Sequence, residues 1–222
     1  MDLFDIIGPV MVGPSSSHTA GAARIGKITR MLLGSQPVRA RIGLYGSFQK
    51  TYLGHGTDKA LIGGLLGMNV DDSRLRDSLR LAAEAKLEYS FYNADVRGAH
   101  PNTVILDVDG DDGRHIQVQA SSVGGGEIVV NAIDGLEARF TGELPTLIIR
   151  NQDRPGMVAE VTGVLSKRQV NIATMQLYRD MRGGLAVMVI ESDQPIWAAA
   201  VEELRACPGI ERVTYLNMEG ED

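Results

Sequence analysis

Apolar positions change period along the chain, and each change predicts a different kind of element. Ile25, Ile28, Met31 and Leu32 recur at helical spacing while Arg24, Lys27 and Arg30 face elsewhere, so residues 20–33 read as an amphipathic helix closed by Gly34. Residues 39–45 alternate like a strand, residues 57–62 start a second helix, and residues 74–87 read as a third. Strands then dominate, at 103–108, 115–120 and 127–133. They are separated by Asp109-Gly110-Asp111-Asp112-Gly113 and Val123-Gly124-Gly125-Gly126, both turn signals. The acidic turn lacks the spacing and terminal Glu of an EF-hand, which makes it a hairpin connection rather than a calcium loop. Strands, not a helix, follow the glycine run, so it is no nucleotide fingerprint.

From Leu147 the pattern becomes regular. A strand at 147–149 leads through Asp153-Arg154-Pro155-Gly156 into an amphipathic helix at 157–166. Strands at 171–177 and 185–190 join around Arg182-Gly183-Gly184, Pro195 opens a helix to Arg205, and residues 210–216 give a last strand. The order βαββαβ is that of the ferredoxin-like split βαβ unit. Thr141-Gly142-Glu143-Leu144-Pro145 reads as a linker. The expected architecture is therefore α/β (α+β): a mixed-sheet domain over residues 1–142 and a ferredoxin-like domain over 143–222.

Bulk composition narrows the function classes. The chain has 222 residues, 44% hydrophobic and 23% charged, which allows a sizeable core. A net charge of -6 without a basic block argues against nucleic acid and against an anionic membrane as partners. Met1-Asp2-Leu3-Phe4-Asp5-Ile6-Ile7 lacks a basic signal-peptide start, and no run reaches membrane-spanning length, so a cytoplasmic protein is expected. A single cysteine, Cys207, cannot make an intrachain disulfide or hold an iron–sulfur cluster by itself.

Two polar clusters carry the candidate chemistry. In Gly13-Pro14-Ser15-Ser16-Ser17-His18-Thr19, hydroxyls and an imidazole lie between a breaker and a helix start, where backbone N–H groups and the helix dipole suit a carboxylate or phosphate. A plain N-cap by Ser17 is the alternative, and it accounts for one serine only. Gly54-His55-Gly56-Thr57-Asp58-Lys59 repeats the design, with glycines on both sides of an imidazole that can act as acid or base near neutrality. An exposed loop histidine is the alternative there. Lys59 reads as an anion contact or a surface lysine rather than a Schiff-base lysine. His100, in Ala99-His100-Pro101-Asn102, reads as part of a structural turn.

Asn151-Gln152-Asp153-Arg154-Pro155-Gly156, followed by Val161, Val164, Leu165 and Val170-Asn171-Ile172, resembles an ACT domain. The resemblance implies amino-acid binding at the strand-to-helix turn, at or near Asn151, Asp153, Pro155, Gly156, Asn171 and Ile172. Taken with the two polar clusters and Ala99-His100-Pro101-Asn102, nearly the whole chain resembles the β chain of iron–sulfur L-serine dehydratase. The first domain also looks like the allosteric substrate-binding domain of some phosphoglycerate dehydrogenases, which implies an effector sensor without chemistry. The dehydratase resemblance implies deamination of L-serine to pyruvate and ammonia without pyridoxal phosphate, on a 4Fe–4S cluster held by the cysteines of an α subunit. This chain lacks those cysteines, so it should need that partner. By the same resemblance His55 is the candidate base, Ser15, Ser16, Ser17, His18 and Thr19 hold the substrate carboxylate or support the site, and Asp58 and Lys59 stand behind them. A homodimer of this chain is expected as well, because ACT-like sheets pair edge to edge.

Overall fold

The structure, a computed structural model, describes residue 13 and residues 15–218; Pro14 and the acidic N-terminal stretch lie outside the described residues. The chain forms two compact units, Met1–Asp134 and Gly135–Asp222. The segment between that division and the expected boundary at 142 holds a strand, Leu136–Phe140.

The first unit begins with a wide π-helical turn, Ser16–Gly21, that runs into α1 (Ala22–Leu33). The helix expected at 20–33 is thus present, but the hydroxyl stretch lies inside the helical run rather than ahead of it. Gly34, at φ 74°, closes it by donating to the Arg30 carbonyl. β1 (Pro37–Leu44) follows, then α2 (Ser47–His55), α3 (Thr57–Leu65), a 3₁₀ turn (Ser73–Asp77), α4 (Ser78–Glu84) and β2 (Glu88–Asn93). The single helix expected at 74–87 is therefore two pieces, with Asp72 capping the first by accepting from the Arg74 N–H. β3 (Thr103–Gly110), β4 (His115–Gly124) and β5 (Glu127–Ile133) follow; the sheet runs in the order β2-β1-β3-β4-β5-β6, and its last strand, β6 (Leu136–Phe140), already lies past the division at Asp134. Only β1 and β2 are established as a parallel pair, so the chain must cross over between them, and it does so through α2 to α4.

The helices α1 and α3 pack on each other, and α1 covers β3, β4 and β5. Ile25, Ile28, Leu32, Ile42, Leu44, Leu61, Leu65 and Leu106 are fully buried in this core. Each such side chain contributes about 1.5–3 kcal/mol by leaving water. The close crossing depends on glycine: a Cβ at Gly26 would lie 2.4 Å from the Leu61 carbonyl, and one at Gly64 would lie 2.1 Å from the Ala23 carbonyl.

The second unit contains β7 (Thr146–Gln152), α5 (Met157–Lys167), β8 (Ile172–Arg179), β9 (Leu185–Ser192), α6 (Ala198–Arg205) and β10 (Ile210–Leu216). Its antiparallel sheet has the order β10-β7-β9-β8, which is the βαββαβ fold expected. Leu147, Ile149, Val161, Leu165, Met188, Ile190 and Leu204 form its core. Helix α6 starts at Ala198 rather than at Pro195, because Trp197 takes an extended conformation (φ -63°, ψ 138°) at the cap.

Candidate functional site

Ser15 organises the first polar cluster. Its carbonyl accepts from the N–H groups of Thr19 (2.9 Å) and Ala20 (3.4 Å), and its Oγ accepts from the His18 N–H (3.2 Å). Ser15, not Ser17, is the cap. Because Ser15 already engages three of the turn's N–H groups, what the turn offers a ligand is mainly side chains: the half-buried Ser16 and Ser17 hydroxyls and the His18 ring.

The second cluster is not a loop before a helix. His55 is the last residue of α2, and Gly56 (φ 68°) turns the chain directly into α3, whose first residues Thr57 and Asp58 are buried. The structure brings the two clusters together. Thr19 Oγ1 donates to the His55 carbonyl (3.1 Å), and the His18 and His55 rings meet edge to face with centroids 4.9 Å apart. Phe48 also meets the His18 ring edge to face, with centroids 5.4 Å apart.

His18 has a hydroxyl at each ring nitrogen, Ser15 Oγ at 3.3 Å from Nδ1 and Ser47 Oγ at 3.0 Å from Nε2. Burial lowers its pKa below the ordinary histidine value, and the nearby His55 lowers it further. Ser47 did not stand out in the sequence; its only signal was Gly46-Ser47 directly after a strand. Gly46, at φ 62°, is needed there, since a Cβ would lie 2.5 Å from the Pro101 carbonyl, which accepts from the Ser47 N–H (2.7 Å).

Three buried polar atoms at the α2–α3 junction have no hydrogen-bond partner among the described residues: His55 Nδ1, Thr57 Oγ1 and Asp58 Oδ1. Buried polar groups are nearly always paired, so three such atoms in residues 55–58 make the junction a candidate site. Lys59 is set apart from them: its side chain is exposed, and its carbonyl accepts from Ser78 Oγ (2.7 Å). His100 is exposed as well, with Nδ1 accepting from the Asn102 N–H (3.2 Å), as a structural turn requires.

In the second unit most of the expected effector residues are engaged with each other's surroundings. Asp153 Oδ2 accepts from the Gly183 N–H (2.9 Å) and from Arg179 (3.1 Å); the Gly183 bond first, and Arg179 after it, hold its carboxyl below the usual range. Asn171 donates to Asp193 and, through its N–H, to Gln194 Oε1. Pro155 and Gly156 are exposed at the start of α5, where Gly156 takes φ 94°. Asn151 is buried, with Nδ2 on the Gln152 carbonyl (2.7 Å) and Oδ1 without a partner among the described residues. Asn171 and Ile172 line a shallow groove of about 470 Å³ with Thr162, Ser166, Gln169 and Val170.

Comparison with known proteins matches residues 1–132 to the family described as serine dehydratase beta chain, and residues 145–209 to the ACT domain. The chain belongs to the serine dehydratase beta-chain family. It is 42% identical over 214 residues to a protein of Bacillus subtilis named probable L-serine dehydratase, beta chain, covering 96% of this chain and 97% of that one. Against the L-serine dehydratase beta chain of Peptoniphilus asaccharolyticus the identity is 35% over 213 residues, covering 95% and 94%. A D-3-phosphoglycerate dehydrogenase of Bacillus subtilis is 29% identical over 163 residues, which is 72% of this chain and 30% of that protein. The relatives it matches along most of its length are named as beta chains of L-serine dehydratase. No helix among the described residues is long and apolar enough to cross a membrane.

The residues of this chain do not fit an iron–sulfur cluster. Its one cysteine, Cys207, lies in the second unit with its thiol on the Glu203 carbonyl, and no group of three His, Cys, Asp or Glu among the described residues is arranged to hold a metal ion.

Proposed function

We propose that this chain is the substrate-handling β subunit of a two-chain L-serine dehydratase, completed by a cysteine-bearing α subunit that carries the cluster. The observation that carries this reading is the meeting of His18 and His55 beside three unpartnered buried polar atoms. The Ser16 and Ser17 hydroxyls receive the carboxylate of L-serine, His18 and Thr19 support the site beside them, Asp58 braces the junction, and His55 takes the α-proton. The Cα–H electron pair forms the Cα–Cβ double bond as the Cβ–O bond breaks with its pair on oxygen; the hydroxide is protonated by solvent to leave as water, and His55 returns its proton to solvent. The resulting enamine hydrolyses to pyruvate and ammonia. A histidine base supplies about 10²- to 10⁴-fold in such a step. Lys59, exposed on α3, serves as a long-range anion contact at most. Two copies of this chain are proposed to pair through the β8 edge of the second sheet, where the groove at Asn171 and Ile172 would hold a small amino-acid effector.

One observation favours a second reading, that of a purely regulatory subunit. A D-3-phosphoglycerate dehydrogenase, named for a different reaction, is 29% identical over 163 residues, which supports a role for this kind of chain outside serine elimination. The His55→Ala substitution separates the readings in the assembled enzyme. Loss of kcat and kcat/KM together supports the base; intact turnover with a lost effector response supports the regulatory subunit.

A further inference from the structure

Ser47 sits at the first turn of α2, half-buried, between the two clusters and the Pro101 turn. Its backbone N–H is committed to the Pro101 carbonyl (2.7 Å), and its carbonyl accepts from Thr51 Oγ1 (2.8 Å). Its hydroxyl does not cap its own helix; it lies 3.0 Å from His18 Nε2. On the other side, Ser15 Oγ stands 3.3 Å from Nδ1. A hydroxyl can donate or accept, so this pair accommodates either neutral tautomer of the ring while fixing the direction in which both nitrogens point. Phe48 and His55 hold the ring's flanks, at 5.4 and 4.9 Å between centroids.

We propose that Ser47 is a positioning residue for the dehydratase reaction: with Ser15 it clamps the His18 imidazole between two hydroxyls and sets its orientation toward His55. The inference rests on the functional reading above for its consequence and on geometry alone for the clamp. Ser47 touches neither substrate nor reacting atoms; it acts through His18. Its backbone is anchored beside Pro101: the Ser47 N–H donates to the Pro101 carbonyl (2.7 Å), and a Cβ at Gly46 would lie 2.5 Å from that same carbonyl.

The test has two readouts. In the isolated full chain, labelled with ¹⁵N-histidine, Ser47→Ala should move the ring-nitrogen resonances of His18 and leave those of His115, exposed on β4, in place. Ser47→Thr should restore the His18 resonances, and Ser47→Gly serves as a second hydroxyl deletion if the alanine variant folds poorly. In the assembled enzyme, Ser47→Ala should lower kcat/KM for L-serine about tenfold, as the loss of one hydrogen bond to an aligned ring implies, with recovery in Ser47→Thr. Unchanged His18 resonances in Ser47→Ala would overturn the clamp. Moved resonances with unchanged serine turnover would leave the clamp as a structural contact and overturn its part in the reaction, together with the use of His18 in serine chemistry.

Discussion

The α2–α3 junction of the first unit and the strand-to-helix turn of the second start from similar sequence, a polar cluster with a glycine just before a helix, and arrive at opposite states. At the junction, His55, Thr57 and Asp58 each bury a polar atom that meets no partner among the described residues. At the turn, Asp153 is bound by Gly183 and Arg179, and Asn171 by Asp193 and Gln194, leaving Asn151 Oδ1 as the open atom. The difference teaches that a polar helix start is not in itself a binding site. What distinguishes the two is whether the polar atoms have spent their hydrogen bonds inside the fold.

Turnover should separate the two regions most strongly. His18→Ala is expected to lower kcat/KM of the assembled enzyme about 100-fold, the scale of removing one placed polar group from an active site. Arg179→Ala, which strips a partner from the second unit's turn, should leave it within about twofold, as an exposed ion pair contributes little. Similar losses in steady-state assays of both variants would erase the contrast.

Stability should separate them next. Gly64→Ala forces a methyl into the Ala23 carbonyl and should destabilise the first unit by about 1–3 kcal/mol. Gly163→Ala in α5, where a Cβ meets nothing within 4 Å, should stabilise the second by about 0.5–1 kcal/mol. Denaturant unfolding reads both, and a silent Gly64→Ala would show that α1 and α3 do not cross as closely as described. A smaller effect is expected at the cap: Ser15→Ala should cost about 1 kcal/mol.

The smallest expected effect is on pH dependence. His18 has a lowered folded pKa, so below about 6.5 the unfolded chain binds a proton that the folded chain resists. Its contribution is therefore present above that value and lost as pH falls toward the folded pKa. Asp153 is also lowered, but from a carboxylate's ordinary value, so its contribution is retained until well below neutrality and lost only as pH falls through its own lowered pKa. Thermal midpoints measured from pH 7 to 3 should show His18→Gln flattening the first window and Asp153→Asn the second. Flattening in the same window would contradict the separate assignments.

Much of this was legible in the chain and some was not, for definable reasons. Alternation found β3 to β5, whose positions switch between buried and half-buried or exposed, while β7 to β10 were found as apolar runs between turn signals and α1 and α5 by helical spacing. Helix α2 escaped notice because, among its described side chains, Phe48 is the one fully buried anchor and Leu53 is exposed. Strand β2 escaped because it is exposed along most of its length at the sheet edge. Missing α2 had a consequence for the site: His55 read as a loop residue, and Ser47, which reaches His18 across 29 positions of sequence, could not be seen at all. The cluster residues themselves were readable by type. Which of them had unspent hydrogen bonds depended on tertiary packing, and Lys59, alike in sequence to its neighbours, turned out to face solvent.

The most direct test of the central claim is anaerobic pyruvate formation from L-serine by this chain, by its cysteine-bearing partner, and by the two reconstituted together. The account predicts pyruvate only from the reconstituted pair. Full activity in the partner without this chain would contradict it, because the His18–His55 site would then stand outside the reaction.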